Sequence, residues 1–371
     1  MIYNYIAPLV IAALMTCGLT YSVKALAEKI GIFDEPGERK VHTKAVPRLG
    51  GVAIVLSFLI VIVGYALAGP RLDFGSSKFI IFDQKLIGVL LGALVLFVVG
   101  VIDDIRGFKP LAKLFWHTVA AIIVVIFGLT ISYIRLPGGF HVELTNLVLP
   151  FNLLGHSYNF VVWADLLTVF WIVLMINTLN FLDGLDGLAS GISVIAAICI
   201  FFLSLSLGQP AAALLAMIFA GSVIGFIPWN FNPAKIFMGD SGSMFLGYML
   251  AVLAIISGGK VATAFLVLGI PVLDVIWVAL RRIFTGSSPF KADKFHLHHR
   301  LIDVGLSQRQ AVLILYLISA VFGSVAVFSQ TDAKFQAFMW LLAVMGTLAI
   351  LLVILEWRKR GREKEELRIK N

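Results

Sequence analysis

Carboxylates and carboxamides recur at fixed intervals in a chain otherwise suited to lipid. The run Asn177-Thr-Leu-Asn180-Phe-Leu-Asp183-Gly-Leu-Asp186 places an oxygen-bearing side chain at every third residue. That spacing lines the four along one helical ridge until Gly184 and Gly187 turn the backbone. Hard oxygen donors of this kind suit Mg²⁺, with Mn²⁺ an alternative. Asp103 and Asp104 stand side by side at the end of an apolar run, followed by Arg106, Lys109 and Lys113. Neighbouring carboxylates stay ionised only beside a cation or basic groups, and both kinds of partner are at hand. Asp240 follows Gly239 at the expected start of another helix, where it reads either as an N-cap or, beside Asn180 and Asp183, as a further metal ligand. Acids at the joints of membrane-length segments mark a functional site, because each would cost roughly 2.5 to 3.5 kcal/mol at mid-membrane.

Three other stretches carry chemistry. Pro47-Arg48-Leu49-Gly50-Gly51 puts a guanidinium beside a helix start, a combination that suits phosphate. The stretch Asn230-Phe-Asn232-Pro-Ala-Lys235-Ile-Phe237 offers an amide and a ring on which a base could stack. His296-Leu-His298-His299-Arg300 gathers three histidines and an arginine, and with neither cysteine nor spaced acid it suits phosphate or sugar better than zinc.

The elements that must position these groups are membrane helices. Of 371 residues, 60% are apolar and 13% charged, with a mean hydropathy of +0.98, far more apolar sequence than one soluble core needs. Eleven apolar segments are expected, near 5–26, 51–69, 86–102, 112–130, 160–179, 188–207, 211–228, 243–257, 261–280, 311–330 and 335–356. Lys and Arg in one set of alternate loops outnumber those in the other more than threefold. The basic side is therefore cytoplasmic and the N-terminus outside. Every candidate group lies on that cytoplasmic side, in the loops after helices 1, 3, 5, 7 and 9. The fold class is thus an all-α polytopic membrane protein with a cytoplasmic cleft. One small external β-hairpin is expected in 131–159, where residues 141–149 alternate. Residues 1–371 read as a single domain, with 357–371 a basic cytoplasmic tail. Much of the net charge of +8 sits in that tail and reads as a topology signal, not as nucleic-acid binding. Cys17 and Cys199 fall in apolar spans and read as core residues. The first segment lacks a basic n-region and reads as a retained helix.

Together the motifs Pro-Arg-Leu-Gly-Gly, Asp-Asp with Lys113, Asn-x-x-Asn-x-x-Asp-Gly-x-Asp-Gly-Leu-Ala, Phe-Met-Gly-Asp-Ser-Gly and His-x-His-His-Arg, in order across 47–300, resemble those of the polyprenyl-phosphate N-acetylhexosamine-1-phosphate transferases. Gly107 and Leu297 stand where the peptidoglycan branch has a lysine and a histidine, so the chain is more similar to the UDP-GlcNAc branch. The resemblance implies transfer of GlcNAc-1-phosphate from UDP-GlcNAc to undecaprenyl phosphate with release of UMP, in the bacterial inner membrane. It implies Mg²⁺ held by Asp240, Asn180 and Asp183, and phosphate contacts from Arg48 and Lys113. Asp186 and Phe237 would read uracil, Asn230 would lie beside the nucleoside, and His296, His298, His299 and Arg300 would grip the diphosphate and N-acetyl region. Asp103 would be the base toward the lipid phosphate and Asp104 its tuner or a metal ligand. The rival mechanism makes an aspartate the nucleophile of a double displacement. The peptidoglycan phosphotransferase, an intramembrane prenyltransferase and an ion-coupled transporter are the alternative readings, and a homodimer stays open.

Overall fold

The computed structural model describes residues 3–36, 44–68, 84–135, 140–153, 156–257, 261–284, 296–329 and 331–370. Helix α1 (Tyr3–Ile30) leads through a two-residue antiparallel ladder, β1 (Phe33–Asp34) with β2 (Val46–Pro47), into α2 (Gly50–Ala68). Helices α3 (Gln84–Arg106) and α4 (Pro110–Ile126) form a hairpin. Beyond it lie two small ladders, β3 (Tyr133–Arg135) with β4 (His141–Glu143) and β5 (Val148–Leu153) with β6 (His156–Val161). There follow α5 (Val162–Leu182), α6 (Leu188–Ser206), α7 (Pro210–Ile224), the single turn α8 (Ile227–Asn230) and α9 (Gly239–Ile256). The rest is α10 (Val261–Val267), α11 (Gly269–Phe284), α12 (Leu297–Asp303), α13 (Gln308–Phe328) and α14 (Thr331–Lys370).

The chain is a multi-pass, all-helical membrane protein. Among the described residues nine helices are long and apolar enough to cross a bilayer, and α4 is a shorter apolar helix. Two of the eleven expected segments therefore differ from a simple span. Pro110 opens α4, and Gly128, at φ +81°, closes its end. The segment expected over 261–280 is broken at Leu268 into α10 and α11, because Pro271 has no amide to donate back to Val267. The single expected hairpin is two ladders, since the alternation at 141–149 spans the end of one and the start of the other. Lys291 and Lys294, two of the basic residues on the side taken as cytoplasmic, lie outside the described residues, as does the loop histidine His42.

Helix α9 is the centre of the bundle. Of its span 89% is buried, against 11% for α14, which leaves the latter to face lipid. It packs on α2, α3 and α5, and small residues bring the backbones together, as between helices in lipid. A Cβ at Gly100 of α3 would fall 2.5 Å from the Ser241 Cα, and one at Gly51 of α2 would collide with the Gly242 backbone. Buried hydrogen bonds cross-link the same helices: Tyr248 Oη donates to the Val89 carbonyl at 2.8 Å and Trp171 Nε1 to that of Ala251 at 3.2 Å. The ends of α3 and α5 and the starts of α2, α4 and α9 consequently meet at one end of the bundle. The β3–β6 ladders, which connect α4 to α5, lie at the other.

Candidate active site

Asp240, in the first turn of α9, is the hub. Its Oδ2 accepts from Arg48 Nη2 at 3.0 Å and from Lys113 Nζ at 3.1 Å, and its Oδ1 accepts from Asn180 Nδ2. Asn180 also donates to Ser243 Oγ at 2.9 Å. Four segments remote in sequence thus deliver one side chain each to a single point. Arg48 is aimed by an unusual backbone. Leu49 has φ +95°, a conformation costing on the order of 1 to 3 kcal/mol for a non-glycine residue. It is held there because Gly50 N donates to the Phe237 carbonyl at 2.9 Å, Gly51 N to that of Met238 at 2.7 Å, and Phe237 N to that of Pro47 at 2.9 Å. The Arg48 and Asp240 loops are therefore one clasped unit. Burial disfavours the Arg48 charge, but Asp104, Asp240, Asp34 and Asp183 more than offset it and raise its pKa.

The two adjacent acids of α3 do different things. Asp104, whose side chain is wholly buried, accepts from Asp240 N at 2.7 Å, Ser241 N at 3.1 Å and Ser241 Oγ at 2.7 Å, and pairs with Arg48 Nε at 3.2 Å. It caps the N-terminus of α9 from another helix. Both its oxygens are engaged, so in this structure it fixes the turn that presents Asp240, where the resemblance implies a tuner of Asp103 or a metal ligand. Asp103 accepts from Phe108 N at one oxygen and pairs with Lys113 through the other. Lys113 accordingly bridges Asp103 and Asp240.

Asp183 follows the last turn of α5, is half-buried, and has no hydrogen-bond or ion-pair partner for its carboxylate among the described residues. Burial, then Asp240, raises its pKa well above the carboxylate range, with Asp104 and Asp186 adding to the effect and Arg48 opposing it. An unpaired carboxylate among other acids fits a cation. Among the described residues no three acidic or imidazole groups form a ready-made cage. A cation here would have to take part of its shell from substrate oxygens and water, which suits Mg²⁺.

Other expected residues sit beside this centre. Asp186 Oδ2 accepts from Asn232 Nδ2 at 2.9 Å and Ala234 N at 3.0 Å. Asn232 is held in turn by Gln308, and Arg309 Nε donates to its carbonyl at 3.0 Å, so the start of α13 clamps this loop. Asn230 is 1% exposed and its amide accepts from Gly187 N and Ser190 Oγ, both at 3.1 Å, and donates to the Ile236 carbonyl. It braces the loop from within, a bond set that the expected place beside a nucleoside did not include. Phe237 is half-buried on the clasp. His298 leans on the Asp183 turn, since a Cβ at Gly184 would lie 2.5 Å from its Nε2. Burial, then His299 and His296, push the His298 pKa well down, which favours the neutral ring. His296 stacks between Phe181 and His298, with centroids 5.5 and 5.7 Å away, and His299 and Arg300 follow on α12, both half-buried.

Sequence reasoning missed Ser241, Asp34, Asn232, Gln308 and Asp274. Ser241 and Asn232 lie in the quoted motifs without having been given a role, and Asp274 gave a signal as an acid inside the apolar stretch 261–280.

Residues 86–258 match the glycosyl transferase family 4 model. The chain is 34% identical to the "Probable undecaprenyl-phosphate N-acetylglucosaminyl 1-phosphate transferase" of Bacillus subtilis (strain 168) over 324 residues, 86% of this chain and 83% of that one. It is 34% identical to the decaprenyl-phosphate N-acetylglucosaminephosphotransferase of Mycobacterium tuberculosis (strain ATCC 25618 / H37Rv) over 331 residues, 82% of this chain and 78% of the relative. Against the undecaprenyl-phosphate alpha-N-acetylglucosaminyl 1-phosphate transferase of Thermotoga maritima it is 30% identical over 311 residues, 84% and 86% of the two chains. At these identities and coverages the chain belongs to glycosyl transferase family 4, in the polyprenyl-phosphate N-acetylglucosaminyl 1-phosphate transferase branch, and is a phosphoglycosyl transferase; Asp103, Asp104, Lys113, Asn180, Asp183 and Asp240 fall inside the family match.

Proposed function

We propose that this protein transfers GlcNAc-1-phosphate from UDP-GlcNAc to undecaprenyl phosphate, releasing UMP, as the first membrane step of a cell-envelope glycan. The observation that carries the reading is the convergence of Arg48, Lys113 and Asn180 on Asp240, with the unpaired Asp183 beside them. An anionic phosphate oxygen must approach the β-phosphorus of an anionic diphosphate. Two unit charges 4 Å apart repel by about 4 kcal/mol at an effective dielectric near 20, so the site's task is to neutralise charge.

Arg48 and Lys113 are partly exposed cations that can exchange an aspartate partner for a phosphate oxygen without crossing the cleft. Asp240, Asp183 and Asn180 would hold Mg²⁺, which when bound supplies further charge neutralisation at the diphosphate. Asp103 is the group placed to take a proton from the lipid phosphate once Lys113 has turned to the substrate. Asp104 takes no part in bond making and keeps the Asp240 turn rigid. The Asp186 oxygen that takes no partner among the described residues can accept from the imide N–H of uracil, with Phe237 as the stacking face. We place the protein in the bacterial inner membrane, with its N-terminus outside and the site and C-terminus cytoplasmic, following the Lys and Arg bias.

The test uses purified protein, undecaprenyl phosphate and Mg²⁺ with either UDP-GlcNAc or UDP-N-acetylmuramoyl-pentapeptide, following UMP. Release from UDP-GlcNAc alone, abolished by EDTA, is the expected result. Turnover with only the pentapeptide substrate, or with neither, overturns the proposal.

A further inference from the structure

The acid that anchors the histidine segment belongs to no motif. Asp274, on the broken helix α11, is 8% exposed, and its Oδ1 accepts from Leu297 N at 2.9 Å. Its Oδ2 lies 2.9 Å from His296 Nδ1. A carboxylate can only accept, so Nδ1 carries the proton, and in the neutral form of the ring the lone pair lies at Nε2. Nε2 takes no partner among the described residues, yet it is not sealed from solvent. The ring plane is set by Phe181 on one side, 22° from parallel, and His298 on the other, 10° from parallel. Phe181 lies two residues before Asp183, so this oriented acceptor stands at the edge of the charged cleft.

We infer that Asp274 is a positioning residue that fixes the His296 tautomer, so that Nε2 accepts a hydrogen bond from the amide N–H or a hydroxyl of the donor's amino sugar. A site full of cations and amide donors reads the diphosphate, and a neutral acceptor beside it reads the part of the donor that carries N–H and O–H groups. The inference rests on the proposed use of a nucleotide amino sugar as donor.

Asp274→Asn tests it, because the amide can keep its oxygen on Leu297 N and must then turn its NH₂ toward Nδ1. That drives the proton to Nε2 and converts the acceptor into a donor. Expected is a rise of about tenfold or more in KM for UDP-GlcNAc, the size typical of lost partners behind a functional histidine, with a smaller change in kcat. His296→Ala should raise KM similarly, and the double variant should be no worse than His296→Ala alone. A further loss in the double variant, as a purely structural anchor would give, overturns the inference. So does Asp274→Asn with wild-type KM. Independently of turnover, ¹⁵N spectra of the His296 ring, assigned by its loss in His296→Ala, should show Nδ1–H in the wild type and Nε2–H in Asp274→Asn. An unchanged tautomer overturns the inference even in an active enzyme. Wild-type protein with the expected tautomers that does not turn over UDP-GlcNAc refutes the donor assignment instead.

Discussion

Replacing Asp104 by alanine should unfold the site before it touches the chemistry. The change strips acceptors from Asp240 N and Ser241 N, both buried. Each orphaned donor costs about 1 to 3 kcal/mol. Loss of the anion at the start of α9 adds roughly 0.3 to 1 kcal/mol. Arg48 contributes little to the loss, being 29% exposed and still paired with Asp240. The sum is about 4 kcal/mol. At about 2.1 cal/mol/K of unfolding entropy per residue, 371 residues give roughly 0.8 kcal/mol/K, hence a fall in Tm of about 5 °C. Helices that survive unfolding in detergent lower that entropy and enlarge the shift. The assay is thermal unfolding in detergent, with UMP release measured below the transition. Asp103→Asn is the comparison, expected to lose activity with a much smaller loss of Tm because the amide oxygen can still accept from Phe108 N. An Asp104→Ala protein that melts within 1 °C of wild type but does not turn over would refute the capping argument and return Asp104 to the chemistry.

Lys113→Met removes the cation shared by Asp103 and Asp240 and should lower kcat by about 10²-fold or more, read from UMP release at saturating donor. Asp183→Asn should raise the Mg²⁺ concentration for half-maximal rate by about tenfold, and an unchanged Mg²⁺ titration would remove Asp183 from the cation site. His298 has a depressed folded pKa, so the unfolded chain binds the extra proton. The stability it contributes is present above the unfolded value near 6.5 and is lost progressively as pH falls from there toward the depressed folded value. The drop in Tm from pH 7.5 to 5.5 should therefore be shallower in His298→Gln than in wild type. Gly51→Ala forces a methyl into the Gly242 backbone and should cost about 1 to 3 kcal/mol, measured by melting.

Composition alone dictates a helical membrane bundle, and the acids at segment ends mark which end holds the chemistry. What the sequence hides is who meets whom. Asp103 and Asp104 are adjacent and identical in type, yet one is tied to a lysine and the other caps a distant helix. That division depends on Gly100 letting α3 touch Ser241, a contact invisible in one dimension. Asn230 looks like a ligand contact from its motif and is also a brace, because Gly187, at φ +80°, turns its amide toward it. The break between α10 and α11 is legible afterwards in Gly269 and Pro271, but apolar length dominates any reading of 261–280.

The cap of α9 by Asp104 joins residues 136 and 137 positions apart. At roughly 5 to 20 residues per second of synthesis, α3 must wait on the order of ten seconds or more for its partner to emerge. During that interval two aspartates hang from a freshly inserted helix with neither Arg48 held in its clasp nor α9 to receive them. Their place at the very end of the helix makes the delay tolerable, because there they can stay hydrated at the membrane surface. Biogenesis thus has an order built into it: the early helices insert as a water-facing half-site, and the arrival of α9 is the event that converts a loose row of acids into an enzyme.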